Sequence, residues 1–141
     1  MDTLKIAIQK SGRLNEESLQ ILKDCGISIN NGNDQLKAEA SNFPLEILFL
    51  RNSDIPQYLI DGVVDAAIVG DNLLVEKGQN IAVAEKLGFS KCRVSVAVPK
   101  NFEYNSIQDL NNLRVASSYP NTVLNFFKSK NIAIDIHQIS G

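Results

Sequence analysis

The chain has 141 residues, 44% of them hydrophobic, and carries 14 Lys and Arg against 16 Asp and Glu for a formal net charge of −2 at pH 7. That is enough apolar material for one good core, shared between one domain and part of another, and too little basic charge for general nucleic-acid binding. Two distant cysteines, Cys25 and Cys92, and a single histidine, His137, exclude a disulfide scaffold and a Cys/His zinc site, so two buried thiols in a reducing cytosol are expected.

Leu4–Ile8 reads as a short apolar strand, and Asp2 and Lys5 at its start replace the cationic start and long apolar stretch of a signal peptide. No later apolar run approaches membrane-spanning length, so a soluble, cytoplasmic protein with no membrane partner is expected. Asn15–Cys25 follows as a helix, with Leu19, Ile21, Leu22 and Cys25 on one side and Gly26 as its stop. Asn30 to Asp34 is a turn cluster between two short strands, Ile27–Ile29 and Leu36–Ala38, that pair with each other. Leu45–Leu50 is a strand introduced by Pro44. Ser53 or Asp54 then caps a short helix with Pro56 in its first turn and Asp61-Gly62 at its close.

Val63–Val69, apolar except for Asp65, suits a buried parallel strand, and Gly70-Asp71 opens a helix through Lys77. Ile81–Ala84 and Arg93–Val98 are further expected strands. Pro99-Lys100-Asn101 breaks the pattern, and the polar stretch to Asn112 marks a crossover between a first domain, 1–98, and a second, 99–141. Leu113–Ala116, Pro120–Lys130 and Ile132–Ile136 form a strand–helix–strand unit in that second domain. The class is α/β.

In an open parallel sheet, ligands bind beyond the carboxyl ends of the strands. Gln9, Lys10, Ser11, Gly12 and Arg13 stand there after the first strand, Arg51 and Asp54 after Leu45–Leu50, Gly70, Asp71 and Asn72 after Val63–Val69, and Ser117, Ser118 and Tyr119 after Leu113–Ala116. Gly12 lets the backbone approach a ligand, Lys10 and Arg13 supply charge, and the free N–H groups of the next helix point the same way. Taken alone, the segment reads equally as a strand–helix turn with two solvated cations. Arginine suits bidentate recognition of phosphate or carboxylate, and the shared edge favours a polyanion cleft over a set of unrelated polar turns. Asp71 could hydrogen-bond a ribose, hold a metal, position an amine or cap a helix.

His137 alternates with Ile136 and Ile139 as an exposed strand residue, and Cys92 beside Arg93 reads as a partly buried structural thiol. No Gly-x-Ser-x-Gly, Gly-x-Gly-x-x-Gly or Gly-x-x-x-x-Gly-Lys pattern occurs. The inventory therefore fits group transfer by positioning and charge stabilisation, or simple binding, rather than covalent catalysis.

Five ordered blocks carry a resemblance: Ala7 to Leu14, Arg51 to Pro56, Asp61 to Asp71, Gly88 to Ala97, and Arg114 to Pro120. Together they resemble the ATP phosphoribosyltransferase family, which performs the first step of histidine biosynthesis. The Gln-Lys-Ser-Gly-Arg form of the first loop is similar to the long form of that family, which adds a C-terminal regulatory domain. The resemblance implies a two-domain core like the type II periplasmic binding proteins, with the first domain mostly present here and the second partial, and the active site in the interdomain cleft. It implies transfer from phosphoribosyl pyrophosphate, with Mg²⁺, to N1 of ATP. Carried over by position, Lys10, Gly12 and Arg13 would meet phosphates or the transferring centre. Gly70 and Asp71 would line the nucleotide site with Gln9 and Ser11, and Ser117, Ser118 and Tyr119 would face it. Arg51 and Asp54 could bind or brace the loops. A homo-oligomer is expected of the full-length protein.

Two departures stand out. Relatives carry an Arg before the residue matching Leu36, where this chain has Asp34 and Gln35, so Lys37 substitutes or the contact is absent. The family's phosphoribosyl pyrophosphate loop, an acidic strand and a Ser/Thr-Gly-x-Thr-Leu turn, has no match in these 141 residues, so the chain by itself is expected to be inactive. The alternatives are a solute-binding module of the same architecture that closes on a small anion without chemistry, and a piece that mainly assembles through open strand edges.

Overall fold

The computed structural model describes residues 2–30, 35–78 and 80–140. It divides into two compact units, 1–92 and 93–141, against an expected boundary after Val98.

The first unit is built around a four-stranded sheet in the order β2-β3-β1-β4. β1 (Leu4–Gln9) and β3 (Leu45–Leu50) run parallel over their whole length, from Leu4 opposite Leu45 to Gln9 opposite Leu50. Side chains alternate across a pleated strand, and here the two faces part cleanly. Ile8, Leu45, Ile47 and Phe49 join Leu22 and Ala38 in one cluster, against which Leu19 and Ile21 of α1 (Arg13–Asp24) pack. Ala7, Leu48 and Leu50 face the other way, onto Ile55, Tyr58 and Leu59 of α2 (Ile55–Ile60) and onto Val64. The result is helix, sheet, helix. Ser18 sits fully buried on the inner side of α1, where its hydroxyl donates to the Leu14 carbonyl at 2.5 Å.

Several elements depart from the sequence reading. The short strand after the turn is β2 (Lys37–Glu39), and it pairs antiparallel with β3; Ile29 adds a single bridge to Ala40 in place of a paired strand. The turn residues 31–34 lie outside the described residues. The backbone around Asp54 starts α2 after a short 3-10 turn at Asn52–Asp54, but no side chain caps it. Val63–Val69 is no buried strand. Only Ala66–Ala67, β4, pairs with β1; among the described residues nothing pairs with its other edge, which leaves Val63 and Ala66 exposed. Ile81–Ala84 and Arg93–Val98 form no strand either, because an extended segment needs a ladder partner and none is present among the described residues. Both cysteines are free and exposed, against the expected burial: Cys25 is the C-cap of α1, past its apolar side, and Cys92 lies in a loop.

α3 (Asp71–Lys77) completes the first unit. In the second, β5 (Leu113–Ser117) and β6 (Ile134–Gln138) are parallel, with α4 (Pro120–Ser129) between them in sequence. Leu110, Phe127 and Ile132 form the core, flanked by Phe102, Ile107, Val115, Val123 and Ile134. His137 is exposed on β6, as expected.

A 3-10 turn, Ile107–Leu110, leads into β5 through a capping box between Ser106 and Asp109. The Asp109 carboxylate accepts the Asn105 and Ser106 backbone N–H groups at 2.7 and 3.1 Å, which holds its pKa below the usual value. A carboxylate whose pKa falls on folding adds stability above its unfolded pKa and loses it as pH drops through the folded one. Asp109→Asn should therefore lower the denaturation midpoint of the second unit at neutral pH. The difference from wild type should close as the pH falls through the lowered folded-state pKa and the carboxylate is protonated. A gap of equal size at neutral pH and below that pKa would show that the charge is irrelevant.

Candidate functional site

The parallel register of β1 and β3 decides where the first cations stand. Gln9 lies opposite Leu50, and the Lys10 N–H donates to the Leu50 carbonyl at 2.9 Å, so Lys10 and Arg51 leave adjacent strands at the same carboxyl edge. β4 points the same way, with the Ile68 N–H on the Ala7 carbonyl at 3.1 Å, which brings Gly70 and Asp71 to that edge as well. The first unit thus gathers Gln9 to Arg13, Arg51, Gly70 and Asp71. Ser117, Ser118 and Tyr119 occupy the carboxyl end of β5 in the second unit, where the Tyr119 N–H donates to the Ser117 hydroxyl at 3.0 Å ahead of α4.

The turn after β1 is braced by its own polar groups. Gln9 donates through Nε2 to the Ser11 carbonyl at 2.9 Å, and Asn15 through Nδ2 to the Gln9 carbonyl at 2.8 Å. Gly12 is the N-cap of α1 with φ 86° and ψ −175°, a combination that only glycine adopts without strain, and the Glu16 N–H closes the first helical turn onto its carbonyl at 3.1 Å. A Cβ placed there would meet only Gln9 Nε2 at 3.6 Å, an ordinary contact, so the demand for glycine is conformational rather than steric. Gly12→Ala should cost about 1–3 kcal/mol through backbone strain. Gly12→Val puts a β-branched side chain at the same positive φ and should cost more than Gly12→Ala. Urea melts of both variants check this; equal stability of both variants and wild type would show that the turn does not require glycine.

Charge at this edge is unbalanced in one direction. Arg13 occupies the first position of α1, the positive end of the helix, where a cation is unfavourable by about 0.3–1 kcal/mol. Among the described residues neither the Lys10 nor the Arg51 side chain has a hydrogen-bond or ion-pair partner. Arg13 alone is tied down. Its Nη2 donates to the Lys91 carbonyl at 3.0 Å, and its Nε stands 3.9 Å from Glu17 Oε2, while Glu17 also accepts from the Ser90 hydroxyl. Lys37, the expected substitute for the missing arginine, is spent on Glu46 at 2.7 Å, which raises its pKa, and Asp34 lies outside the described residues. Asp71 is the first residue of α3 and Gly70 its N-cap, so the carboxylate is not a capping group. Asp54 is exposed and caps nothing, whereas neighbouring Asn52 keeps a buried Oδ1 without a hydrogen-bond partner.

Residue-by-residue reading missed Glu17, Ser90 and Lys91 as members of this constellation. Glu17 carried a signal, since it lies one helical turn after Arg13. Ser90 and Lys91 carried no local signal: they belong to the resemblance block Gly88 to Ala97 but follow Glu17 and Arg13 by 73 and 78 residues.

The arrangement is a cationic strand edge at a helix N-terminus, held by a glycine turn. Comparison with known proteins gives the family. The family model for ATP phosphoribosyltransferase matches residues 51–141. The chain belongs to that family. It is 51% identical over 138 residues to an ATP phosphoribosyltransferase of Cytophaga hutchinsonii, covering 98% of this chain and 48% of that protein. A Bacteroides thetaiotaomicron ATP phosphoribosyltransferase is 44% identical over 138 residues, covering 98% and 49%. The chain therefore spans about half the length of these curated relatives. Among solved structures, the ATP phosphoribosyl transferase (HisG:HisZ) complex from Thermotoga maritima matches with a TM-score of 0.68 at 24% identity, over 99% of this chain and 65% of that one, which shows a shared α/β fold. Among the described residues no helix is long and apolar enough to cross a membrane.

Proposed function

We propose that this chain supplies the N-terminal part of the catalytic region of an ATP phosphoribosyltransferase, working in the cytoplasm as the first step of histidine biosynthesis. In this reading the core is of the type II periplasmic-binding-protein kind and the full-length protein is a homo-oligomer. The observation that carries the chemistry is the strand edge where, among the described residues, the Lys10 and Arg51 side chains have no partner and Arg13 stands at the positive end of α1. N1 of ATP attacks C1 of phosphoribosyl pyrophosphate, the C1–O bond breaks, and its electron pair leaves on pyrophosphate. No covalent nucleophile is needed; the protein must align two anions and neutralise the charge that develops on the leaving group. Lys10 and Arg13 take the phosphates or the transferring centre, with Arg51 binding substrate at the same strand edge. Gln9, Ser11, Gly12, Gly70 and Asp71 of the first unit line the nucleotide, while in the second unit Ser117, Ser118 and Tyr119 offer hydroxyls and backbone N–H groups to substrate at the carboxyl end of β5.

Mg²⁺ belongs to this reading as a companion of the substrates. Among the described residues no three His, Cys, Asp or Glu side chains come together to hold a metal ion, so they form no cage for it. Mg²⁺ commonly takes most of its ligands from substrate phosphates and water, with one or two carboxylates.

The test is a graft in which this chain replaces the matching half of the Cytophaga hutchinsonii relative. The hybrid should release pyrophosphate when given ATP, phosphoribosyl pyrophosphate and Mg²⁺, and the 141-residue chain alone should not. A folded hybrid that binds ATP yet releases no pyrophosphate would favour a solute-binding module instead. Turnover by the chain alone, free of host enzyme, would mean that the site is misplaced.

A further inference from the structure

We propose that Glu17 is a positioning residue, which fixes the loop at 88–92 through Ser90 so that the Lys91 carbonyl holds the Arg13 guanidinium in one orientation. The inference rests on the reading of Arg13 as a phosphate-facing cation, and its geometry stands independently of that reading. Glu17 lies one turn beyond Arg13 on α1, half-buried, and its Oε2 accepts the Ser90 hydroxyl while standing 3.9 Å from Arg13 Nε. One residue on, the Lys91 carbonyl accepts from Arg13 Nη2 at 3.0 Å. The guanidinium is thus hydrogen-bonded through Nη2 and faced by the Glu17 carboxylate on its Nε side, which leaves the two Nη1 N–H groups for an outside anion.

The backbone of the loop adds a second observation. Gly88 and Ser90 both adopt positive φ, 77° and 49°. Glycine takes that conformation freely, whereas serine persists in it only when its surroundings hold it there. The Glu17 carboxylate is the group that holds Ser90. A one-residue turn in the left-handed region then presents the next carbonyl, that of Lys91, back toward α1. Strained non-glycine residues of this kind cluster at ligand clamps, and here the strain sits beside the one arginine at this edge that the protein anchors.

The chain contains four arginines, Arg13, Arg51, Arg93 and Arg114, and among the described residues the side chains of the last three have no hydrogen-bond or ion-pair partner. Side-chain ¹⁵N NMR of the 141-residue chain can therefore separate a gripped guanidinium from three free ones. Arg13 should show distinct Nη1 and Nη2 signals with slowed rotation about Nε–Cζ, assigned by their loss in Arg13→Lys. Ser90→Ala is the decisive variant, since it never touches Arg13. It should raise the Arg13 rotation rate about tenfold, the worth of one charge-assisted hydrogen bond, and Glu17→Ala should do at least as much. Ser90→Gly, which relaxes the backbone but lacks the hydroxyl, should match Ser90→Ala. Arg13 rotation that is unchanged in Ser90→Ala, or restored in Ser90→Gly, would overturn the proposal. Titration with ATP gives the functional arm: Ser90→Ala and Glu17→Ala should weaken binding about tenfold at a temperature where melts show both variants fully folded. Unchanged ATP affinity in Arg13→Ala would remove the phosphate reading and leave the positioning geometry to stand on the NMR result.

Discussion

Arg13→Ala in the hybrid enzyme should lower kcat/KM for ATP by roughly ten- to a hundredfold while leaving the fold almost untouched. The loss is that of a charge-assisted hydrogen bond to a phosphate, about 1.5–3 kcal/mol. The stability cost is small. Arg13 is exposed, its bond to the Lys91 carbonyl contributes about 0.5–1.5 kcal/mol and its i,i+4 pairing with Glu17 at 3.9 Å about 0.3–0.5 kcal/mol, and removal of a cation from the positive end of α1 offsets part of both. Arg13→Lys separates charge from shape, because lysine restores the charge but cannot offer the fork of two parallel N–H donors. It should recover only part of the lost rate. Pyrophosphate release against ATP concentration, with a thermal melt of each variant, reads both quantities. A wild-type rate in Arg13→Ala, or a collapsed melting temperature, would remove Arg13 from the reaction.

The same residues show what a sequence conveys and where it stops. Leu45–Leu50 was legible to the residue because Pro44 introduces it and all but Glu46 are apolar, as suits a strand covered on both faces, one under α1 and the other under α2. The candidate edge was legible because parallel strands share a carboxyl end, and β1 and β3 are parallel in full register. Ala66–Ala67 was overread. A run of apolar residues signals a buried strand only if neighbours lie on both sides, and β4 has β1 alone among the described residues. Val94, Val96 and Val98 alternate as a strand should, yet all three are exposed at 37% or more, because propensity does not supply a ladder partner. Cys25 was misplaced by a single residue: counting it into the apolar side of α1 ignored that the helix ends at Asp24. The contact of Arg13 with Lys91 was beyond reach, since no local pattern couples a helix start to a loop so distant in sequence.

Phe127→Ala should unfold the second unit under conditions in which the first keeps its structure. Replacing a buried phenylalanine by alanine costs about 3–5 kcal/mol, from lost transfer free energy and the cavity left behind. In the first unit such a loss would fall on two clusters, one on each side of a four-stranded sheet. The second unit has two strands, one α-helix and one cluster, in which Phe127, 1% exposed, is the largest fully buried side chain. Two strands are marginal without a packed helix, and Phe127 is the residue that α4 buries. Even in wild type, amides of Leu113–Ser117 and Ile134–Gln138 should exchange faster than those of Leu4–Gln9 and Leu45–Leu50. In Phe127→Ala the first pair of strands should approach unprotected rates while the second pair stays protected. Phe126, its neighbour, meets Phe127 edge-on at 5.3 Å but is 42% exposed, so Phe126→Ala should be much milder. Equal effects of the two substitutions, or loss of protection in Leu45–Leu50 along with Leu113–Ser117, would show that the chain folds as one cooperative body rather than two.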